Sequence, residues 1–155
     1  MADVSDKPEI LALYRSAVGR PGCTWDDAYP SEALADGDIA AGKLYVLADD
    51  GHIIGAVSVV RENELDGIDC WELRGGSCRE IARIAISAAY SGRRLSAVML
   101  EQLFEVLRGE GCVSVHILVS PHNIPARRIY ERLGFTFCSR YEMFGHEFIA
   151  AEKIL

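Results

Sequence analysis

The sequence has little that would send the chain to a membrane, a metal or a disulfide framework. Its first residues, MADVSDKPEI, lack the basic region and apolar stretch of a signal peptide. No apolar run approaches the length needed to cross a bilayer, so a cytoplasmic protein without a membrane partner is expected. Five cysteines, Cys23, Cys70, Cys78, Cys112 and Cys138, show no CxxC spacing, and their odd number does not suit a complete set of disulfides. They read as free thiols, with Cys112 in the run CVSVHILVS a small core residue. The four histidines, His52, His116, His122 and His146, form no HExxH motif and no i, i+4 pair, so no metal site is expected. Positive charge is also scarce. With 16 Lys and Arg against 23 Asp and Glu, the formal net charge of −7 argues against a broad nucleic-acid surface.

What is present is a core. The chain has 155 residues, 50% of them hydrophobic, and only 5 prolines, which suits one globular domain over residues 1–155. Charge is unevenly placed. Arg83, Arg93, Arg94, Arg127 and Arg128 follow an acidic first third that holds Asp26, Asp27, Glu32, Asp36, Asp38, Asp49 and Asp50. Two readings stand, a local basic site for an anionic small molecule and a set of solvated arginines on helix faces.

Periodicity sets the order of elements. SDKPEILALYRSAV has helical spacing at Ile10, Leu11, Leu13, Tyr14 and Val18, with Asp6 and Glu9 placed to form a capping box. After the break at Gly19, Pro21 and Gly22, a short helix capped by Ser31 is expected to end near Gly42. KLYVLADDGHIIGAVSVV reads as a hairpin around DDGH. Residues 61–77 read as a loop with at most a short strand near Cys70 to Leu73. CREIARIAIS is a strand, and the helix after it should bury Leu95, Val98, Met99, Leu103 and Leu107 and stop at Gly109 and Gly111. CVSVHILVS is a buried strand, followed by a helix with Pro125 in its first turn and Gly134 past its end. Two strands around Gly145 close an α/β or α+β domain with a mixed sheet.

The stretch YSGRRLS, residues 90–96, joins a strand to a helix, where free helical N–H groups can hold phosphate. Downstream, NIPARRIYERLGF places Asn123, Ala126, Tyr130, Gly134 and Phe135 in the pattern N-x-x-A-x-x-x-Y-x-x-x-G-F. With the hairpin ending in DGHIIGAVSVV and the strand, turn and helix of EIARIAISAAYSGRRLSAVMLEQL, this resembles the GNAT superfamily of N-acetyltransferases over nearly the whole chain. The resemblance implies a mixed, mostly antiparallel central sheet flanked by about four helices. It also implies transfer of an acetyl group from acetyl-CoA to an amine of a small molecule or protein, by direct attack in a ternary complex. No Ser-His or Cys-His motif suggests a covalent intermediate.

The phosphate loop departs from the family pattern Q/R-x-x-G-x-G/A, with Ser91, Gly92, Arg93, Arg94, Leu95 and Ser96 at the matching positions. Arg94 replaces a glycine. If its backbone is helical, its N–H still faces phosphate and the guanidinium adds charge; if φ is positive, arginine costs on the order of 1 kcal/mol or more and impairs binding. The helical reading is preferred because Gly92 already relieves the turn. These departures motivate an alternative, a coenzyme A-binding or catalytically degenerate module with a regulatory or scaffolding role. An unrelated α/β ligand-binding domain would make the N-to-GF match accidental.

By the resemblance, Ile84, Ala85 and Ile86 offer backbone groups to the pantetheine arm and an N–H to the thioester carbonyl. Tyr130 is the general acid for the departing sulfur. Asn123 bonds pantetheine or caps its helix, and Ala126 completes the motif. Glu80 matches a glutamate that acts as base in the histone-acetylating branch; the other reading is a strand-end carboxylate paired with Arg79 or Arg83. Glu72, His116 and His122 are reserve bases, and Trp25, Asp26, Asp27 and Trp71 are candidates for the acceptor wall. Whether the chain works as monomer or homodimer stays open.

Overall fold

The computed structural model describes residues 1–61, 65 and 67–155. Among them, four helices and six strands run in the order α1 (Lys7–Ala17), α2 (Glu32–Ala40), β1 (Leu44–Asp49), β2 (His52–Val60), β3 (Cys78–Ile86), α3 (Leu95–Gly109), β4 (Ser114–Val119), α4 (Ile124–Arg132), β5 (Thr136–Met143) and β6 (His146–Ile154). The six strands form one sheet in the order β1-β2-β3-β4-β6-β5. Every neighbouring pair is antiparallel except β3 and β4. This is the mixed, mostly antiparallel sheet expected from the sequence.

Local chemistry accounts for most boundaries. Asp50 and Gly51 take positive φ (47° and 82°) in the tight turn between β1 and β2, as an Asp-Gly hairpin requires. Ser31 Oγ accepts from the Leu34 N–H at 3.2 Å and starts α2. The capping box forms one step earlier than expected. Asp3 and Asp6 cap each other's ends of the Val4–Asp6 turn, and Asp6 itself has helical backbone (φ −76°, ψ −18°), so its side chain caps nothing on α1. Glu9 is thereby free to accept from the Ile53 N–H at 2.8 Å, tying α1 to β2.

Opposite faces of the sheet hold separate clusters. On one face Val57, Val59, Ile81, Val115, Ile117 and Val119 pack beneath α3 and Tyr130 of α4. The α3 stripe is Met99, Leu100, Leu103, Phe104 and Leu107, whereas Val98 is 38% exposed. Each such burial contributes about 1.5–3 kcal/mol, which fixes the helix and hence the loop before it. On the other face Ile10, Leu13 and Tyr14 of α1 meet Leu44, Ala56 and Ala85. Beside them Leu65, Ile68 and Trp71 cover Ala150. Of the 61–77 loop, positions 62–64 and 66 lie outside the described residues. No strand forms at Cys70–Leu73, because the Glu72 and Leu73 N–H groups donate to the Glu152 carboxylate (2.6 and 3.1 Å) instead of joining a ladder.

One feature of the sheet matters most for chemistry. β3 and β4 are registered only at Cys78, Arg79 and Glu80 against Ser114, Val115 and His116. Beyond these pairs β3 keeps β2 as its neighbour and no longer pairs with β4, leaving a gap in the sheet.

Candidate functional site

The gap is lined by the backbone of β3. Gly55 pairs with Ile86 and Ala56 with Ala85, while the Ser87 N–H donates to the Ile54 carbonyl at 2.8 Å. Polar backbone groups alternate in direction along an antiparallel strand. Ser87 and Ala85 therefore point at β2, and the backbone groups of Ile84 and Ile86 point into the gap. Ala85 belongs to the ladder, with its side chain buried against α1.

At Ile84 and Arg83 the strand is bulged. Between the Ala56–Ala85 and Ser58–Ala82 pairs, one residue of β2, Val57, faces two of β3, Ile84 and Arg83, and Arg83 takes φ +44°. The bulge turns Arg83 toward α2, where its Nε and Nη2 donate to Asp38 at 3.1 and 2.9 Å and its Nη1 to the Tyr29 hydroxyl at 3.3 Å. Ser58 Oγ donates to the same Asp38 oxygen at 2.5 Å. Burial works against the Arg83 charge, but Tyr29 and Asp38 outweigh it and push its pKa up. Arg83 is thus a buried structural ion. Of the sequence's arginine group, Arg127 is also engaged, with Nη1 on the Pro121 carbonyl at 3.2 Å. Only Arg93 and Arg94 stand at the loop after β3.

That loop ends β3 in a turn over Ala88–Tyr90 and enters α3 at Leu95. Tyr90 anchors it, donating from its hydroxyl to Asp49 at 2.9 Å with the Arg93 guanidinium 5.0 Å above its ring. Arg94 is left-handed, at φ 59° and ψ 18°, so the expected helical backbone is corrected. The residue stands one place before α3, and its carbonyl accepts from Ala97 and Val98. A left-handed arginine costs about 1–2 kcal/mol relative to glycine. It does not close the loop. Its side chain is exposed, and the N–H groups of Gly92, Arg94, Leu95 and Ser96 have no hydrogen-bond partner among the described residues. With two arginines at its edge, such a helix start is suited to phosphate.

Across the gap, Asn123 Oδ1 accepts from the Ala126 N–H at 3.2 Å and caps α4. Tyr130 lies in the core against Phe135, with ring centroids 5.4 Å apart. Burial alone pushes its phenol above the ordinary range, so the hydroxyl keeps its proton.

Glu80 sits where β3 is still paired on both sides. It is registered with His116, and His116 with Glu152 of β6, so three titratable side chains stand in a row on one face. One Glu80 oxygen is shielded from solvent. His116 Nε2 lies 3.2 Å from Glu152 Oε1, and its ring stacks on Trp71 at 4.1 Å. Although burial opposes the Glu152 charge, hydrogen bonds from Ser114, the Glu72 and Leu73 N–H groups and His116 hold its pKa below the usual range. Neither arginine named as a Glu80 partner turns that way. Arg79 donates to the Gly76 and Cys78 carbonyls, and Arg83 to Asp38.

Several acceptor candidates have structural work. Asp26 Oδ1 accepts from the Ala28 and Tyr29 N–H groups, Trp25 packs edge-on against Tyr14 and Tyr29, and the Trp71 indole donates to the Leu65 carbonyl. Asp27, Glu72 and His122 are exposed. Sequence reasoning missed Asp38, Glu152 and Arg20 as organising residues. A lone carboxylate in FIAAEKIL was a readable sign of Glu152, whereas nothing local marked the other two.

Comparison with known proteins bears on the family and the fold. The family model described as "Acetyltransferase (GNAT) family" matches residues 10–135. An L-methionine sulfoximine/L-methionine sulfone acetyltransferase of Pseudomonas paraeruginosa is 25% identical over 153 residues, covering 95% of this chain and 84% of that protein. Among solved structures, a GNAT-family acetyltransferase from Streptococcus agalactiae superposes with a TM-score of 0.86 at 24% identity, covering 100% of this chain and 93% of that one. The structure of yncA from Salmonella typhimurium with its cofactor acetyl-CoA gives 0.76 at 19% identity, covering 99% and 90%.

Proposed function

Since the chain belongs to the GNAT family of acetyltransferases, we propose that it moves an acetyl group from acetyl-CoA to an amine by direct attack within a ternary complex. The observation that carries this reading is the end of β3, open on its β4 side, leading straight into a loop of open N–H groups. The two parts fit a long cosubstrate with an amide-bearing arm and a pyrophosphate. The gap offers strand-like pairing to the arm, and the helix start offers donors and positive charge to the phosphates.

Bound there, acetyl-CoA supplies the acyl group as an activated thioester. The chain's own residues do the rest. Ile84 and Ile86 hold the arm through their backbone, and the Ile84 N–H polarises the thioester carbonyl. Gly92, Arg94, Leu95 and Ser96 direct N–H groups at the pyrophosphate; Ser91, Arg93 and Arg94 border it. Asn123 and Ala126 fix the start of α4, which carries Tyr130. The Tyr130 phenol, protonated through burial, gives a proton to the departing sulfur. Glu80 takes the proton of the amine.

The acceptor is a small amine, a reading favoured by the Pseudomonas relative, whose name gives two amino-acid analogues as its substrates. Calorimetric titration of acetyl-CoA, followed by a thiol-release assay over a panel of amino acids and simple amines, tests the whole proposal. Saturable binding and amine-dependent thiol release are expected. No binding at millimolar acetyl-CoA would overturn it.

A further inference from the structure

The loop after α1 touches both lips of the gap. Arg20 reaches across from it, and its Nη1 donates to the Ile86 carbonyl at 2.9 Å. The same guanidinium is braced against the end of α1, with Nε on the Ser16 carbonyl at 2.7 Å and Nη2 on Ser16 Oγ at 2.9 Å. On the opposite lip, Gly22 lies against the backbone of Asn123. A Cβ at Gly22 would fall 2.4 Å from Asn123 Cα and 2.5 Å from its nitrogen, and its φ is +80°, so only glycine fits. Trp25, three residues on, closes the same loop against Tyr14.

The Ile86 carbonyl points into the gap, where a neighbouring strand would normally donate to it. Arg20 fills that donor's position. Any ligand that pairs with this end of β3 like a strand meets Arg20 on the carbonyl it needs.

We propose that Arg20 is a positioning residue that latches the loop of residues 18–25 over the gap and yields the Ile86 carbonyl when the arm of coenzyme A enters, releasing the loop. This rests on the reading of the gap as the coenzyme A site. The latch couples the two substrates: the hydrogen bond given up by the loop is the one taken by the arm, and the loop that moves carries Trp25 toward the acceptor side.

The test uses coenzyme A itself, which binds without reacting. In the wild-type protein, saturating coenzyme A should speed amide hydrogen exchange across residues 19–25 and change the fluorescence of Trp25, with Trp25→Phe identifying that signal against Trp71. Arg20→Ala should bind coenzyme A about threefold to tenfold more tightly, the worth of one competing hydrogen bond. Arg20→Lys, which can still donate to Ile86, should restore affinity toward the wild-type value. Exchange that stays unchanged or slows on binding, or an Arg20→Ala protein that binds equally or less well, overturns the latch while leaving the coenzyme A site in place. Failure of wild-type protein to bind coenzyme A overturns both. The wild-type exchange measurement decides the matter even if Arg20→Ala does not fold.

Discussion

Strand β3 is paired on both sides where it starts and on one side where it ends, and the two halves carry opposite kinds of polar group. At the closed half, Glu80, His116 and Glu152 stand in register, and Glu152 accepts hydrogen bonds from Ser114, His116 and two backbone N–H groups. At the open half, Ile84 and Ile86 face a gap, and the N–H groups of Gly92, Arg94, Leu95 and Ser96 have no partner among the described residues. Buried polar groups are costly unless satisfied, so the closed half can be a stable floor. The open half keeps donors at the surface, where water can satisfy them. Strain follows the same division, with Arg94 left-handed at the open end. Stability should therefore respond to the first half and binding to the second.

The largest expected effect tests the closed half. Glu152→Ala leaves Ser114, His116 and the Glu72 and Leu73 N–H groups facing a hole, and should cost about 3–5 kcal/mol in urea unfolding. Coenzyme A affinity should not change, since the open end shares no partner with Glu152. A protein that unfolds normally but loses coenzyme A would reverse the assignment of the two halves. The acid limb gives a second reading. The folded pKa of Glu152 is depressed, so its stabilisation is fully present above the unfolded value of about 4.3 and is lost as pH falls through the folded value. The stability difference between wild type and Glu152→Gln should accordingly be constant near neutrality and shrink below about pH 4.

Next come the residues that connect fold to chemistry. Tyr130→Phe should lower turnover about 100-fold with acetyl-CoA affinity retained, as loss of a general acid requires. Its stability should barely change, because its ring packing against Phe135 is kept. Glu80→Gln should lower turnover by a similar factor of about 100, and the loss should lessen as rising pH deprotonates the amine without help. A rate that ignores either change removes that residue from the mechanism.

How far the sequence could be read follows the same line between local and long-range chemistry. Elements set by periodicity and turn residues were legible, including both hairpins, the strand at Cys78–Ile86, and α4 with Pro125 inside and Gly134 beyond. So was the architecture, through the pattern from Asn123 to Phe135. Errors arose where a distant partner decides. Val98 fell outside the buried stripe because the sheet, not the helix, chooses which side of α3 to cover. Arg83 belongs neither to a basic site nor to a solvated helix face but is a buried ion, since a bulge aims it at Asp38, 45 residues away in sequence. The loop reading of Cys70–Leu73 holds without even a short strand, because a carboxylate from β6 takes its N–H groups. Asn123, Tyr130 and the loop residues could be named as candidates from motif alone, but Arg20 could not, because its partner at Ile86 lies 66 residues on.

The smallest effect addresses Arg94, where the two halves of the comparison meet in one residue. Its left-handed backbone disfavours any residue but glycine, while its position at the helix start favours positive charge. Arg94→Gly should relieve about 1–2 kcal/mol of backbone strain but return part of it through the greater freedom of glycine in the unfolded chain, for a net gain of about 1 kcal/mol or less. Coenzyme A affinity should fall, because the lost guanidinium stands at the helix start proposed to hold the phosphates, and by only about threefold, because the side chain is exposed and screened. The two readouts thus move in opposite directions. A variant that gained stability and affinity together would mean that the arginine side chain obstructs the phosphates; one that lost stability would mean that the guanidinium holds the loop itself. Opposite movement in a single substitution is what separates a strained residue kept for binding from a loop that has ceased to bind.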